Sequence, residues 1–252
     1  MDYDLRLEQL RIEALREAAE RERVAAEATR AQSRQQPRLR EYWRPLARIA
    51  CAVGLAVLPF ALLVRIAVSL YEAGEVSPWL AVAGGVAATV VVATIYGAWL
   101  SRRLTGKARV SLVLRWVALP LALTYAGYAL LYLSSANVKS EAVRAEFRAV
   151  HPVLRLALAT LIFLDRSVVV TDMNRDTEDY RQMRLPPHER SLHRPQPDGW
   201  VHAVDLRSIG RSRVHTALAS SYFRLMGLRT LRHVGTADHL HVSLPVPARV
   251  AP

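Results

Sequence analysis

The side chains best suited to chemistry in this chain are its eight histidines, all of which lie between positions 151 and 241. Five of them fall where the pattern predicts that a loop meets a strand, at positions 188, 193, 202, 239 and 241. A single histidine is more often a surface or core residue, but two imidazoles with one carboxylate form a common zinc ligand set. That set leaves the fourth tetrahedral position for water, and a further carboxylate nearby can accept the water's proton. The cluster therefore predicts a zinc site with hydrolytic chemistry.

Three motifs containing these residues follow one another along the chain: Ser191-Leu-His193, Ala203-Val-Asp205 and Asp238-His-Leu-His241. Their order resembles that of the zinc peptidases that cleave D-alanyl-D-alanine and related bonds in peptidoglycan. These are the D-alanyl-D-alanine carboxypeptidase and L-alanyl-D-glutamate endopeptidase family, whose metal site is shared with lysostaphin-type enzymes and hedgehog. The resemblance covers about residues 165–245 and implies nothing about the rest of the chain.

The resemblance implies a role for six residues. The zinc ligands would be His193, Asp205 and His241. Asp238, three residues before the last ligand, corresponds to the general base, and His239 is a second catalytic candidate by analogy with the His-x-His of lysostaphin-type sites. Arg175, shortly after the first strand of the domain, corresponds to the arginine that grips the substrate. The implied cofactor is Zn²⁺, and the implied substrate is the peptide part of peptidoglycan.

The first zinc ligand has a rival candidate in His202. The family places its first histidine and its aspartate closer together than the 12 positions between His193 and Asp205. The excess falls in the turn-rich residues 194–199, which can loop out without moving either ligand. His202 and Asp205 have opposite parity on one strand, so their side chains would face apart. His193 is the preferred ligand, with His202 as the alternative.

The elements that position these residues form a small C-terminal domain, residues 135–252. We expect helices at 139–164, 176–183 and 213–225, strands at 167–171, 201–206 and 239–244, and a loop at 185–199. This order predicts helices packed on a small antiparallel sheet, an α+β domain. The apolar run 153–164 is too short to cross a bilayer and is interpreted as a buried helix.

Before this domain, three apolar blocks make up residues 45–134, at 49–70, 79–100 and 110–133. A hydrocarbon core of ~30 Å needs about 20 apolar residues in a helix, so each block is long enough to span it. Arg65 and Arg115 lie near block ends, where their side chains can reach the membrane surface. The fold class predicted is thus three transmembrane helices followed by the α+β domain.

Loop charges predict the orientation of these spans. Arg102, Arg103, Lys107 and Arg109 lie between the second and third blocks, whereas the loop after the first block carries Glu72 and Glu75 and no base. The positive-inside rule then places residues 1–44 in the cytoplasm, and an odd number of spans places the C-terminal domain outside. We expect a multi-pass protein of the bacterial inner membrane with a periplasmic or extracellular domain.

Residues 1–44 form a charged arm, in which acidic, basic and alanine residues alternate over 2–34 and predict a long solvated helix. This helix is a candidate contact for a cytoplasmic partner or for self-association. The net charge of +12 is explained by topology-setting arginines, so nucleic acid is not an expected partner. The lone Cys51 excludes an intramolecular disulfide framework. The alternative function is a non-catalytic membrane scaffold whose domain binds wall peptide or a protein.

Overall fold

A computed structural model of the chain describes residues 2–35, 39–74, 76–182, 191–235 and 238–246. The chain divides into two compact units, residues 1–55 and 56–252. The first unit contains α1 (Asp2–Gln35) and the first half of α2 (Leu39–Glu72). Side chains of α1 whose exposure is described are exposed, as the alternation of charges predicts for a solvated helix.

The second unit begins with the helical block that the apolar sequence predicts. It consists of the rest of α2, of α3 (Pro78–Thr105), and of α4 (Val110–Val113), which continues through a π-helical turn (Leu114–Ala118) into α5 (Leu119–Leu131). Two helical stretches of the described chain, Pro78–Thr105 and Val110–Leu131, are long and apolar enough to cross a membrane. The remaining predicted span, 49–70, forms part of α2 and is not one of these two.

Much of the surface of these two stretches is apolar and exposed. Val91, Ile95, Trp99 and Leu123 each leave more than half of their area uncovered. The core helix of a water-soluble protein would bury such side chains, and an apolar surface of this extent calls for an apolar neighbour. The exposure of these apolar side chains therefore supports association of the helical block with a membrane.

The C-terminal part confirms the predicted α+β architecture: a mainly helical chain carries a small antiparallel sheet. Its helices are α6 (Glu141–Ala145), a 3₁₀ turn (Glu146–Ala149), α7 (Pro152–Leu164), α8 (Thr177–Gln182) and α9 (Arg213–Leu225). Its strands are β1 (Val170–Asp172), β2 (Ala203–Arg207), β3 (Arg229–His233) and β4 (His239–Ser243), in the order β1-β2-β4-β3. The sequence did not predict β3.

One continuous apolar core joins the sheet to the helical block. The buried face of the sheet contributes Val204, Leu206, Leu240 and Val242. α7 is buried from Pro152 through Leu161, as predicted for this short apolar run, and the same core contains Leu63, Val64 and Val68 of α2. α2 and α3 approach closely at Gly85, where an added Cβ would lie 2.5 Å from the carbonyl oxygen of Leu63. One face of the sheet is thus buried in this core, and the opposite face carries the polar residues.

Candidate metal centre

The register of β2 and β4 places three of the predicted site residues on one face of the sheet. Asp205 lies opposite His241, and Arg207 opposite His239, in an antiparallel ladder. Side chains alternate across a strand, so these residues face away from Val204 and Leu240, which enter the core. The alternation of apolar and polar residues in each strand thus separates the core face from the face that carries Asp205, His239 and His241.

His193 reaches the same face from the segment that precedes β2. The Nδ1 atom of its buried ring lies 2.9 Å from the carbonyl oxygen of Met173. A carbonyl oxygen can only accept, so Nδ1 donates its hydrogen to Met173, and Nε2 is the ring nitrogen left to contact Asp205 or to bind a metal. A second backbone bond, from the N–H of Arg175 to the carbonyl of His193, fixes the segment. Nε2 is thereby directed at the Asp205 carboxylate.

Three donor atoms converge on one point. The distances are 3.2 Å from His193 Nε2 to Asp205 Oδ1, 3.2 Å from His193 Nε2 to His241 Nδ1, and 2.8 Å from His241 Nδ1 to Asp205 Oδ1. Tetrahedral zinc with bonds of about 2.1 Å separates its donors by about 3.4 Å, so each donor needs to move by only a few tenths of an ångström. The geometry, the N₂O donor set and the orientation of His193 all fit zinc.

The Asp205 carboxylate is ionised in this setting. Burial acts to raise its pKa, but the hydrogen bonds from His193 and His241 and the charges of the histidines outweigh burial and hold the pKa well below its usual range. An ionised carboxylate that is almost fully buried needs positive charge or donors on both oxygens. A divalent cation at the convergence point meets that need at Oδ1.

Arg175 serves the other oxygen of Asp205. Its Nη2 donates to Asp205 Oδ2 at 2.8 Å and its Nε donates to Asp172 Oδ2 at 2.5 Å. The guanidinium therefore contacts the carboxylate of Asp205, a candidate ligand, and is oriented by the carboxylate of Asp172. Sequence reasoning expected Arg175 at the site as a substrate-binding residue but did not identify Asp172, which ends β1. Arg175 therefore also holds one of the three candidate ligands in place.

The structure does not bring Asp238 to the three donors. Its carboxylate accepts hydrogen bonds from Arg232 Nε at 3.3 Å and Arg232 Nη2 at 2.9 Å. Arg232 pairs with Leu240 in the ladder, so it lies on the face opposite His241. The bonds from Arg232 lower the pKa of Asp238. This placement separates Asp238 from the position expected of the general base.

His239 lies beside the three donors instead. Its Nε2 is 3.5 Å from Asp205 Oδ2, and its ring stacks on that of His233 with centroids 4.7 Å apart. His233 is directly opposite His239 in the β3–β4 ladder. His233 was not among the residues that the sequence predicted for the site, because its position depends on the pairing of β3 with β4. The open face thus carries two histidines beyond those that converge with Asp205.

His202, the rival first ligand, belongs to a different group. Its Nε2 lies 2.9 Å from Asp198 Oδ2, and its fully buried ring contacts those of His151 and Tyr71. It is separated from Asp205 by the strand parity that the sequence indicates. The structure therefore places His193, and not His202, with Asp205 and His241.

Comparisons with protein-family models, with curated proteins and with solved structures find no match to this chain.

Proposed function

We propose that this protein is a membrane-anchored zinc peptidase that hydrolyses peptide bonds of peptidoglycan stem peptides or cross-links. The convergence of His193 Nε2, Asp205 Oδ1 and His241 Nδ1 is the observation that carries this proposal. Two imidazoles and a carboxylate within 3.2 Å of one another are the ligands that a catalytic zinc takes when its fourth position stays open. The motifs that supply these residues follow the same order as in the zinc peptidases of peptidoglycan, and this resemblance is the reason for proposing a peptidase.

In this proposal His193, Asp205 and His241 hold the metal, and zinc, when bound, supplies Lewis acidity to a water molecule and to the scissile carbonyl. His193 keeps its orientation through Met173, and Arg175 keeps that of Asp205. His239, beside Asp205 on the open face, accepts a proton at Nε2 and returns it to the leaving amine. Asp238 is the second candidate for accepting this proton, and its carboxylate would first have to break its ion pair with Arg232.

The proposed location follows from the helices and the loop charges. With 49–70 as a span in addition to the two long apolar stretches, the chain crosses the inner membrane three times. The arginines before 49 and between 100 and 110 then lie in the cytoplasm, and residues 135–252 lie outside. Peptidoglycan is found only on that side, so topology and proposed substrate agree.

The test is digestion of purified muropeptides by the full chain in detergent micelles. We expect cleavage that stops on chelation and returns with zinc, and that is lost in His193→Ala, Asp205→Ala and His241→Ala together with one equivalent of metal. His215→Ala, on the exposed face of α9, is the matched control and should keep both.

Two outcomes would contradict the proposal. Cleavage that survives complete removal of metal would exclude zinc chemistry. A protein that binds zinc at His193, Asp205 and His241 but cleaves no wall peptide would be a scaffold with a peptidase-like site, and its binding to the same muropeptides would then be measured.

A further inference from the structure

A second group of histidines and a carboxylate lies at the junction of the sheet and the helical block. His151 stands at the start of α7, Asp198 in the turn that ends at Gly199, and His202 directly before β2. The phenol of Tyr71, near the end of α2, donates to Asp198 Oδ2 at 2.9 Å. The group is thus assembled from segments about 50 positions apart in sequence.

The donor atoms of this group also converge. One ligand atom of each of the three residues lies within 4.8 Å of the others. His202 Nε2 is 2.9 Å from Asp198 Oδ2, and His151 Nε2 is 3.9 Å from the same oxygen. These two distances bracket the donor separation of about 3.4 Å in tetrahedral zinc.

Hydrogen bonds account for only one of the two ring nitrogens of His151. Its ring is completely buried, and Nδ1 accepts the N–H of Val153 at the start of α7. The other nitrogen, Nε2, therefore carries the hydrogen or a ligand, and it has no hydrogen-bond partner among the described residues. A buried polar nitrogen that points toward a carboxylate at 3.9 Å leaves room for an atom between them.

One cation near this group opposes a metal. It is Arg155, one turn along α7, whose Nη1 donates to the carbonyl oxygen of Leu130.

We propose that His151, Asp198 and His202 form a second site for a divalent transition-metal cation of the zinc type, separate from the centre at Asp205. His151 Nε2, a carboxylate oxygen of Asp198 and His202 Nε2 are its ligands, and Tyr71 orients the carboxylate. This metal fastens the segment that carries His193 to the base of α7. Its role is structural, since its ligands are buried on the side of the sheet domain that faces the helical block.

The experiment is metal analysis of the full chain in detergent after equilibration with excess zinc and removal of free metal. We expect two zinc ions per chain. His151→Asn and His202→Asn should each bind one, as should His193→Ala, and the double variant His151→Asn with His193→Ala should bind none. Asparagine is chosen at 151 because its side-chain oxygen can still cap α7, which protects the fold.

The control is His215→Asn, which removes an exposed imidazole that belongs to neither group and should keep two zinc ions. A single zinc that is lost in His193→Ala and unaffected by His151→Asn and His202→Asn overturns the second site and leaves the peptidase proposal intact. The converse result, one zinc that depends on His151 and His202 but not on His193, supports the second site and overturns the peptidase centre. A zinc content that falls in only one of the two variants, His151→Asn or His202→Asn, also overturns the proposal.

Discussion

His193 and Met173 are joined by a hydrogen bond of 2.9 Å between Nδ1 of the ring and the backbone carbonyl oxygen. Metal-binding histidines commonly donate their second ring nitrogen in this way, which fixes the tautomer and the direction of the ring. A backbone carbonyl cannot be removed by mutation, and Met173 itself is fully buried in the core. The orientation of the His193 ring is therefore set by the fold rather than by a neighbouring side chain.

The pairing of Arg175 with Asp205 and Asp172 leads to the first prediction. Arg175→Lys should weaken zinc binding by about 10- to 100-fold, because one ammonium cannot reproduce two directed bonds to two carboxylates. Zinc affinity by competition with a chelator and KM for muropeptides are the measurements. Arg181→Lys, at an exposed pair with Glu178, is the control and should change neither. Unchanged zinc affinity with a raised KM would limit Arg175 to substrate binding.

The second prediction distinguishes the two candidates for the general base, His239 and Asp238. His239→Ala should keep zinc and lower cleavage by about 10²–10⁴-fold, the range for a general acid–base group. Asp238→Asn should have a smaller effect, because its carboxylate is held by Arg232 on the other face of the sheet. Metal content and cleavage are measured on the same samples. The reverse order of effects would identify Asp238 as the base and require its release from Arg232 on substrate binding.

Membrane orientation gives the third prediction. A reporter that is active only outside the cytoplasm should work when fused after Leu244 and fail when inserted at Thr105, within the loop of four basic residues. A fusion in the loop at Glu72 should also be active. Activity at Thr105 with none after Leu244 would invert the topology and remove the access of the site to peptidoglycan.

The fourth prediction concerns packing between α2 and α3. Gly85→Ala should destabilise the fold by about 1–3 kcal/mol, because the added Cβ would lie 2.5 Å from the backbone oxygen of Leu63 and 3.3 Å from the Cβ of Ala67. Gly127→Ala is the control: nothing lies within 4 Å of its added Cβ, and alanine favours the helix. Thermal unfolding in detergent compares the two. Equal midpoints would mean that the helices can separate without cost.

The fifth prediction is a pH dependence at Asp165. Burial acts to raise the pKa of this carboxyl, but hydrogen bonds from Ser167 and Arg211 hold it below its usual value. A depressed acid stabilises the fold fully above its usual pKa of about 4, and this contribution is lost as the pH falls through its lower folded value. Asp165→Asn should therefore lower the midpoint of thermal unfolding at pH 7, and the difference from the unaltered protein should disappear as the pH falls through the lowered pKa of Asp165.

Glu141→Gln is the control for that measurement, since Glu141 pairs with Arg144 at an exposed position. Such surface pairs contribute little, so its melting curve should follow the unaltered protein throughout. A difference between Asp165→Asn and the unaltered protein that stays constant with pH would mean that the ion pair with Arg211 is not its source.

Local patterns predicted those elements whose limits are set by local chemistry. α9 runs from Arg213 to Leu225 as expected, because Ser212 caps its first turn and Gly227, with φ of +97°, follows its end. β4 begins at His239 as expected, with alternating polar and apolar side chains. Strand parity favoured His193 over His202, whereas the grouping of Asp205 with His241 was implied by the family resemblance and not by alternation.

What the sequence did not predict depends on tertiary pairing. β3 has the sequence Arg-Thr-Leu-Arg-His, with mostly exposed side chains, so its strand state comes from pairing with β4 rather than from an apolar pattern. The contact of Asp238 with Arg232 was missed for the same reason. The group around His151 requires segments about 50 positions apart, and no local spacing reveals it.

The continuous core between α7 and the end of α2 has a consequence for the biogenesis of the site. α7 packs against α3 and α5 and shares one core with Leu63, Val64 and Val68 of α2, so the described part of residues 135–252 has no complete interior until the helical block is in place. Release of this part as a soluble fragment would expose α7 and favour aggregation. Under the proposed topology, the sheet that carries His193, Asp205 and His241 would complete its core only after the helical block has inserted, so the proposed site would form only in the inserted protein.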